Sequence, residues 1–160
     1  MKRQVQLQQQ QQESQNKHKK QEQLRDLKRN KRGRILLVDD EPDSCLVYQL
    51  VLEEVGFVCI PYTDSVKALQ EFRSGYYDLI LLDIKMPELN GFELCKKIKE
   101  VDSAIEIIFI TALMEHYRNI RDQQSYPRLI NNTTTYIQKP VENEELVKTV
   151  TQILRTGNAD

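Results

Sequence analysis

The chain has 160 residues, 39% of them hydrophobic and 29% charged, which suffices for one domain with a full core plus a tail. The formal net charge of −1 conceals a division: residues 1–34 hold 11 Lys and Arg against three Asp and Glu, a net of +8, while residues 35–160 hold 12 against 21, a net of −9. No apolar run approaches the ~20 residues of a membrane span, and the charged opening lacks the apolar stretch of a secretory leader. Cys45, Cys59 and Cys95 are odd in number and lack metal-ligand spacing, so no disulfide framework is expected and a cytoplasmic, reducing setting fits.

Residues 1–33 form a basic, Gln-rich arm with a homopolymer run at Gln8–Gln12 and Lys/Arg clusters at 17–20 and 28–32. Its few apolar residues cannot bury enough surface to offset chain entropy, so a disordered extension or frayed helix is expected. From Arg34 the pattern changes. Ile35–Val38 reads as a short buried strand ending in Asp39-Asp40. Pro42 and Asp43 open a helix whose apolar positions, Leu46, Val47, Leu50, Val51 and Val55, recur at helical spacing, with Gly56 where a helix end wants positive φ. Phe57–Ile60 is the second strand. Asp64 or Ser65 then caps a helix carrying Val66, Leu69 and Phe72, ended by Gly75.

Leu79–Leu82 is an apolar run without a polar break, as in a parallel strand buried on both faces, and it ends in Asp83. A helix follows from about Phe92, with Phe92, Cys95, Ile98 and Val101 inward. Ile105–Ile110 is the fourth strand, ending at Thr111. The next segment begins as helix and is interrupted at Tyr126-Pro127. Thr135–Gln138 is a fifth strand ending at Lys139-Pro140, and a last helix from near Asn143 turns Leu146, Val150, Ile153 and Leu154 inward. Five strands alternating with five helical segments imply an α/β fold, a parallel sheet covered on both faces. The domain is expected over residues 34–157. Only three residues follow Gly157, so no C-terminal DNA-binding or catalytic domain is expected.

Four of these strands end in polar groups: Asp39-Asp40, Asp83, Thr111 and Lys139. In a parallel sheet those ends share one edge, where α/β folds bind ligands. A polar end on a buried strand explains any one of them but not all four. Three adjacent carboxylates cannot all ionise without a cation. With oxygen ligands alone, that cation is expected to be Mg²⁺. Lys139 offers a point charge for phosphoryl oxygens, Thr111 a short hydroxyl donor, and Asp83 a nucleophile able to form an acyl phosphate.

The stretches Ile35-Leu36-Leu37-Val38-Asp39-Asp40-Glu41, Leu81-Leu82-Asp83-Ile84-Lys85-Met86-Pro87-Glu88-Leu89-Asn90-Gly91, Ile110-Thr111-Ala112 and Tyr136-Ile137-Gln138-Lys139-Pro140 resemble, in family order, the receiver domain of two-component response regulators, and in particular stand-alone, chemotaxis-type receivers. The resemblance covers Arg34 to about Arg155 and implies a five-stranded, flavodoxin-like doubly wound sheet of order 2-1-3-4-5. It implies Asp83 as the phosphoacceptor that becomes an aspartyl phosphate. Asp39 and Asp40 would hold Mg²⁺, with Asp83 and the backbone carbonyl of Lys85 as further ligands. Lys139 would contact the phosphoryl group, and Thr111 would swing toward it. Tyr136 would be the aromatic that reports the switch. The implied donor is a sensor histidine kinase or phosphotransfer protein, and the output is through contacts with another protein. His18 and His116 carry no motif for an acceptor role.

Two features depart from the family pattern. The chain between Thr111 and Lys139 is longer than usual. The small pair that usually precedes the fifth strand is replaced by Asn131-Asn132-Thr133-Thr134-Thr135. The segment Tyr126–Thr135 is read in two ways: it moves with Thr111 and Tyr136 and forms part of the output surface, or it is merely a longer, mobile loop. Two other functions stand beside the receiver. A haloacid-dehalogenase-type phosphatase also uses a strand-end Asp nucleophile but wants a second Asp two residues on, where this chain has Lys85. A nucleic-acid-binding regulator would work through the basic arm. A dinucleotide site is excluded because no Gly-rich turn follows any strand.

Overall fold

The computed structural model describes residues 32–112 and 135–156. The chain divides into a unit Met1–Lys31 and a unit Arg32–Asp160, and all the described residues belong to the second. Its elements are β1 (Arg34–Val38), α1 (Pro42–Glu54), β2 (Val58–Tyr62), α2 (Ser65–Glu71), β3 (Leu79–Asp83), α3 (Gly91–Val101), β4 (Glu106–Thr111), β5 (Thr135–Gln138) and α4 (Asn143–Thr156). The strands form one parallel sheet in the order β2-β1-β3-β4-β5, the doubly wound arrangement expected from the sequence. Among the described residues no helix is long and apolar enough to cross a membrane.

Side chains alternate across a strand, and the core divides accordingly. Ile35, Leu37, Leu79, Leu81, Ile108 and Ile110 pack on one face with Tyr48 and Leu52 of α1 and Leu146 and Val150 of α4. Leu36, Val38, Ile80, Leu82, Ile107 and Phe109 pack on the other, with Ala68 of α2 and Phe92, Leu94, Cys95 and Ile98 of α3. The unbroken apolar runs Ile35–Val38, Leu79–Leu82 and Ile107–Ile110, all buried, are what a sheet covered on both faces demands.

Local signals fix several ends. Gly56 has φ +97°; its N–H donates to Glu53 O at 3.0 Å and the Phe57 N–H to Leu52 O at 3.1 Å, the paired closure of a Schellman end. Asp64 caps α2 by accepting the Lys67 N–H at 2.9 Å. Asn90 and Glu93 cap α3 reciprocally at 3.0 Å each.

The structure settles one open face and corrects two expectations. The inner face of α1 is Cys45, Tyr48 and Leu52, with Val51 and Val55 half-buried, whereas Leu46, Val47 and Leu50 are 53%, 49% and 59% exposed. This helix is apolar on both sides, so periodicity alone does not choose the face. Strand β2 runs to Tyr62 and includes Pro61, because an edge strand loses no ladder bond to proline. Val101 is 58% exposed and Leu94 takes a place in the core. Nine residues at about 100° each put Val101 half a turn from Phe92, at the margin of the buried arc. The fifth helical segment expected after β4 lies outside the described residues.

Candidate functional site

Strands β1 and β3 are neighbours at the point where the sheet order reverses, so their carboxyl ends open into one crevice. Asp39 follows β1 and Asp83 closes β3; both are buried, and Asp40 is half-buried. One carboxylate oxygen from each of Asp39, Asp40 and Asp83 lies within 4.8 Å of the others. Lys139, just after β5, reaches in from the far side. Its Nζ stands 2.8 Å from Asp39 Oδ2 and 3.6 Å from Asp83 Oδ1.

The main chain fixes these groups. The Asp39 N–H donates to Tyr62 O at 3.2 Å and the Lys139 N–H to Thr111 O at 2.9 Å. Asp39 Oδ1 accepts the Glu41 N–H and Asp83 Oδ1 the Ile84 N–H, each at 2.9 Å. Asp39 therefore has one oxygen on a backbone donor and one on Lys139. Asp83 faces its acidic neighbours with less support. Burial, and then the negative charge of Asp39, raise the Asp83 carboxyl to about 6 against the pull of Lys139. Burial works against the Lys139 ammonium, but its hydrogen bond to Asp39 and the charges of Asp39 and Asp83 outweigh that and raise its pKa.

Thr111 is buried at the end of β4, one position beyond Ile110, the partner of Asp83 in the ladder. Tyr136 is half-buried and stacks on Phe109, with ring centroids 5.5 Å apart. The Lys85 side chain is exposed, on the turn that leaves Asp83. The structure thus brings Asp39, Asp40, Asp83 and Lys139 together, sets Thr111 on the adjoining strand end, and keeps Tyr136 in the layer behind. The expectation for Tyr126–Thr135 falls almost wholly outside the described residues, as does the basic arm.

Two supporting roles stand out: that of Cys45 escaped the sequence reading, and that of Gly91 adds to the abrupt turn which Pro87 and Gly91 mark in the sequence. Cys45 points its Sγ at Asp39 O (3.4 Å) and Tyr62 O (3.7 Å), beneath the acidic pair. Gly91 donates its N–H to Ile84 O at 2.9 Å. A Cβ on Gly91 would collide with the Asp83 carbonyl oxygen and the Ile84 Cα, so the turn after Asp83 folds back only over glycine. The signal was the glycine directly after a helix-capping Asn.

A family model for the response regulator receiver domain matches residues 35–151. This chain belongs to the response regulator receiver domain family. The receiver is also similar to Response regulator ArlR of Staphylococcus aureus (strain Mu50), 34% identical over 122 residues that cover 76% of this chain and 52% of that protein. The chain spans about half the length of the curated relatives it matches. Among solved structures, a two-component response regulator from Clostridium difficile is 31% identical, with a TM-score of 0.65 over 79% of this chain and 98% of that one. A CheY-like receiver domain protein from Methanospirillum hungatei JF-1, 24% identical, shares the fold at a TM-score of 0.66 over 78% of this chain and 94% of that one. Receiver domains are signalling domains of two-component systems, and this match leaves the phosphatase and nucleic-acid readings without support.

Proposed function

We propose that Asp83 accepts a phosphoryl group from a histidine kinase or phosphotransfer protein, and that the aspartyl phosphate is read by another protein. The observation that supports this most is the convergence of three carboxylates and one ammonium at the ends of β1, β3 and β5. Asp39, Asp40 and Asp83 supply hard oxygen ligands within a span that fits a small divalent cation, with the Lys85 carbonyl as a further ligand. Mg²⁺ held there would neutralise carboxylate charge and phosphoryl oxygens.

An Asp83 oxygen attacks phosphorus, the bond from phosphorus to the donor imidazole breaks, and the imidazole leaves with the electron pair. Asp83 must be ionised to attack; burial raises its pKa, and Mg²⁺ held beside it would favour the ionised form. Lys139, already 3.6 Å from Asp83 Oδ1, meets the incoming oxygens. Thr111 donates its hydroxyl to one of them. The new charge and acceptors on Asp83 bias Thr111 inward and Tyr136 toward the space it leaves, by no more than the differential contacts allow. The turnover is one phosphoryl group per chain, taken up and lost at Asp83, so the domain acts as a switch rather than as an enzyme on a separate substrate.

The exposed patch of Leu46, Val47 and Leu50 on α1 supports a protein donor, because α1 begins beside Asp40 at the mouth of the crevice. The test is intact mass after incubation with acetyl phosphate and Mg²⁺. The expected result is one phosphoryl adduct on the natural chain and none on Asp83→Asn. An adduct of equal yield on that variant rejects Asp83 as the acceptor.

A further inference from the structure

A cavity of about 420 Å³ opens between edge strand β2 and the stretch that follows α2, a size within the ~300–1,000 Å³ range of small-molecule sites. Ile60 and Tyr62 form its strand wall, and Phe72, Tyr76 and Tyr77 the wall opposite. None of these residues belongs to the carboxylate crevice.

The cavity is built before any ligand arrives. The Tyr62 hydroxyl donates to Glu71 Oε2 at 2.5 Å. Phe72 and Tyr77 stack at 5.7 Å, Tyr76 meets Tyr77 edge-on at 5.0 Å, and the Arg34 guanidinium lies 4.7 Å from the Tyr76 ring centroid. The turn carrying these rings is pinned from below, because Ser74 and Gly75 donate to Asp102 at 3.0 and 3.1 Å. Ring packing alone would account for the Phe72–Tyr77 pair. It does not account for the two opposite charges at the opening, Glu71 and Arg73. These do not pair with each other. Among the described residues Glu71 has the Tyr62 hydroxyl and a loose, exposed contact to Lys67 at 4.0 Å, which leaves acceptor capacity to spare. The exposed Arg73 guanidinium has no acceptor among the described residues, and its fork suits a carboxylate or a phosphate.

We propose that this cavity binds a small molecule combining a flat ring, a hydrogen-bond donor and an anionic group. The ring lies against the tyrosines, the donor meets Glu71, and the anion meets Arg73. Purine nucleoside monophosphates carry this set, and so do zwitterionic aromatic amino acids. The inference is independent of phosphorylation at Asp83.

The test is a set of amide NMR titrations of the full chain with adenosine monophosphate, guanosine monophosphate, L-tyrosine, L-phenylalanine and inorganic phosphate. The expected result is saturable shifts around Tyr62, Phe72, Tyr76 and Tyr77, with a dissociation constant below about 1 mM, from the nucleotide arm or the amino-acid arm. The arm that binds identifies the source. Arg73→Gln, an exposed change that spares the core, should weaken that binding at least tenfold. Three results overturn the proposal: no saturable shift from any of the four ring compounds, equal binding to Arg73→Gln, or equally strong shifts at these residues from inorganic phosphate alone.

Discussion

Aspartates sit at both edges of the sheet, under opposite conditions. At the amino-terminal edge Asp78 accepts the Arg34 N–H at 2.7 Å. Asp102 accepts from the Ser74 hydroxyl, the Gly75 N–H and the Ile105 N–H at 3.0, 3.1 and 3.2 Å. At the carboxyl-terminal edge Asp39, Asp40 and Asp83 face one another, with Lys139 as the cation among them. The backbone N–H of Gly75 and the other donors around it lower the Asp102 pKa, while burial and like charge raise that of Asp83 to about 6. A carboxylate given donors ties the fold together. Carboxylates turned on each other cost stability until a cation arrives.

The comparison breaks most sharply at the metal. Asp40→Ala should weaken Mg²⁺ binding on the order of tenfold to a hundredfold, the range seen when a group that tunes a metal site is lost. Asp102→Ala should leave Mg²⁺ binding unchanged. Both are read from Mg²⁺ titration of the amide signals around Asp83. Equal losses in the two variants would show that the edges do not differ in the way described.

A smaller effect is expected in the stability of the metal-free protein. The folded pKa of Asp83 lies above its ordinary 3.8, so the folded chain holds that proton more tightly than the unfolded chain. Stability therefore declines as pH rises from 3.8 to about 6 and stays lowered above that. Asp83→Asn removes the cost. It should raise stability above pH 6 by about 1–2 kcal/mol, after allowance for solvent near the crevice. The gain should vanish below pH 3.8 and shrink when Mg²⁺ is added. Urea melts of both proteins across pH would show it, and a destabilised Asp83→Asn at neutral pH without metal would contradict it.

The carboxyl-terminal edge was legible in the sequence and the amino-terminal edge was not. Apolar runs such as Ile35–Val38 and Leu79–Leu82 admit one reading, and the polar residue ending each one is thereby placed in space. This located Asp39, Asp83, Thr111 and Lys139. The face of α1 stayed hidden because Leu46, Val47 and Leu50 are as apolar as Cys45, Tyr48 and Leu52. The sequence ends β2 at Ile60, short of Pro61 and Tyr62, because the edge position that lets a strand carry proline is a property of the whole sheet. The cavity near Tyr62 and the role of Asp102 depend on loops that meet only after folding. Ser74, Gly75 and Ile105 belong to two connections with no shared pattern in the chain.

The smallest effect belongs to Asp102 and isolates the other half of the comparison. Asp102→Ala leaves the Gly75 and Ile105 N–H groups and the Ser74 hydroxyl without their acceptor. The site is only half-buried, so water replaces part of what is lost, and the expected cost is about 1 kcal/mol at neutral pH. The sign of the pH dependence is opposite to that of Asp83. The folded pKa of Asp102 is depressed, so its contribution is present above the ordinary carboxylate pKa of 3.8 and is lost as pH falls below that value through the folded pKa. The natural chain and Asp102→Ala should therefore differ in neutral urea melts and converge in acid. Asp102→Asn, which keeps a carbonyl acceptor but no charge, should recover part of the neutral difference and show little pH dependence of its own. Phosphoryl uptake at Asp83 should be the same in all three. A loss in Asp102→Ala that is constant with pH would mean that side-chain packing, and not the ionised carboxylate, holds the amino-terminal edge together.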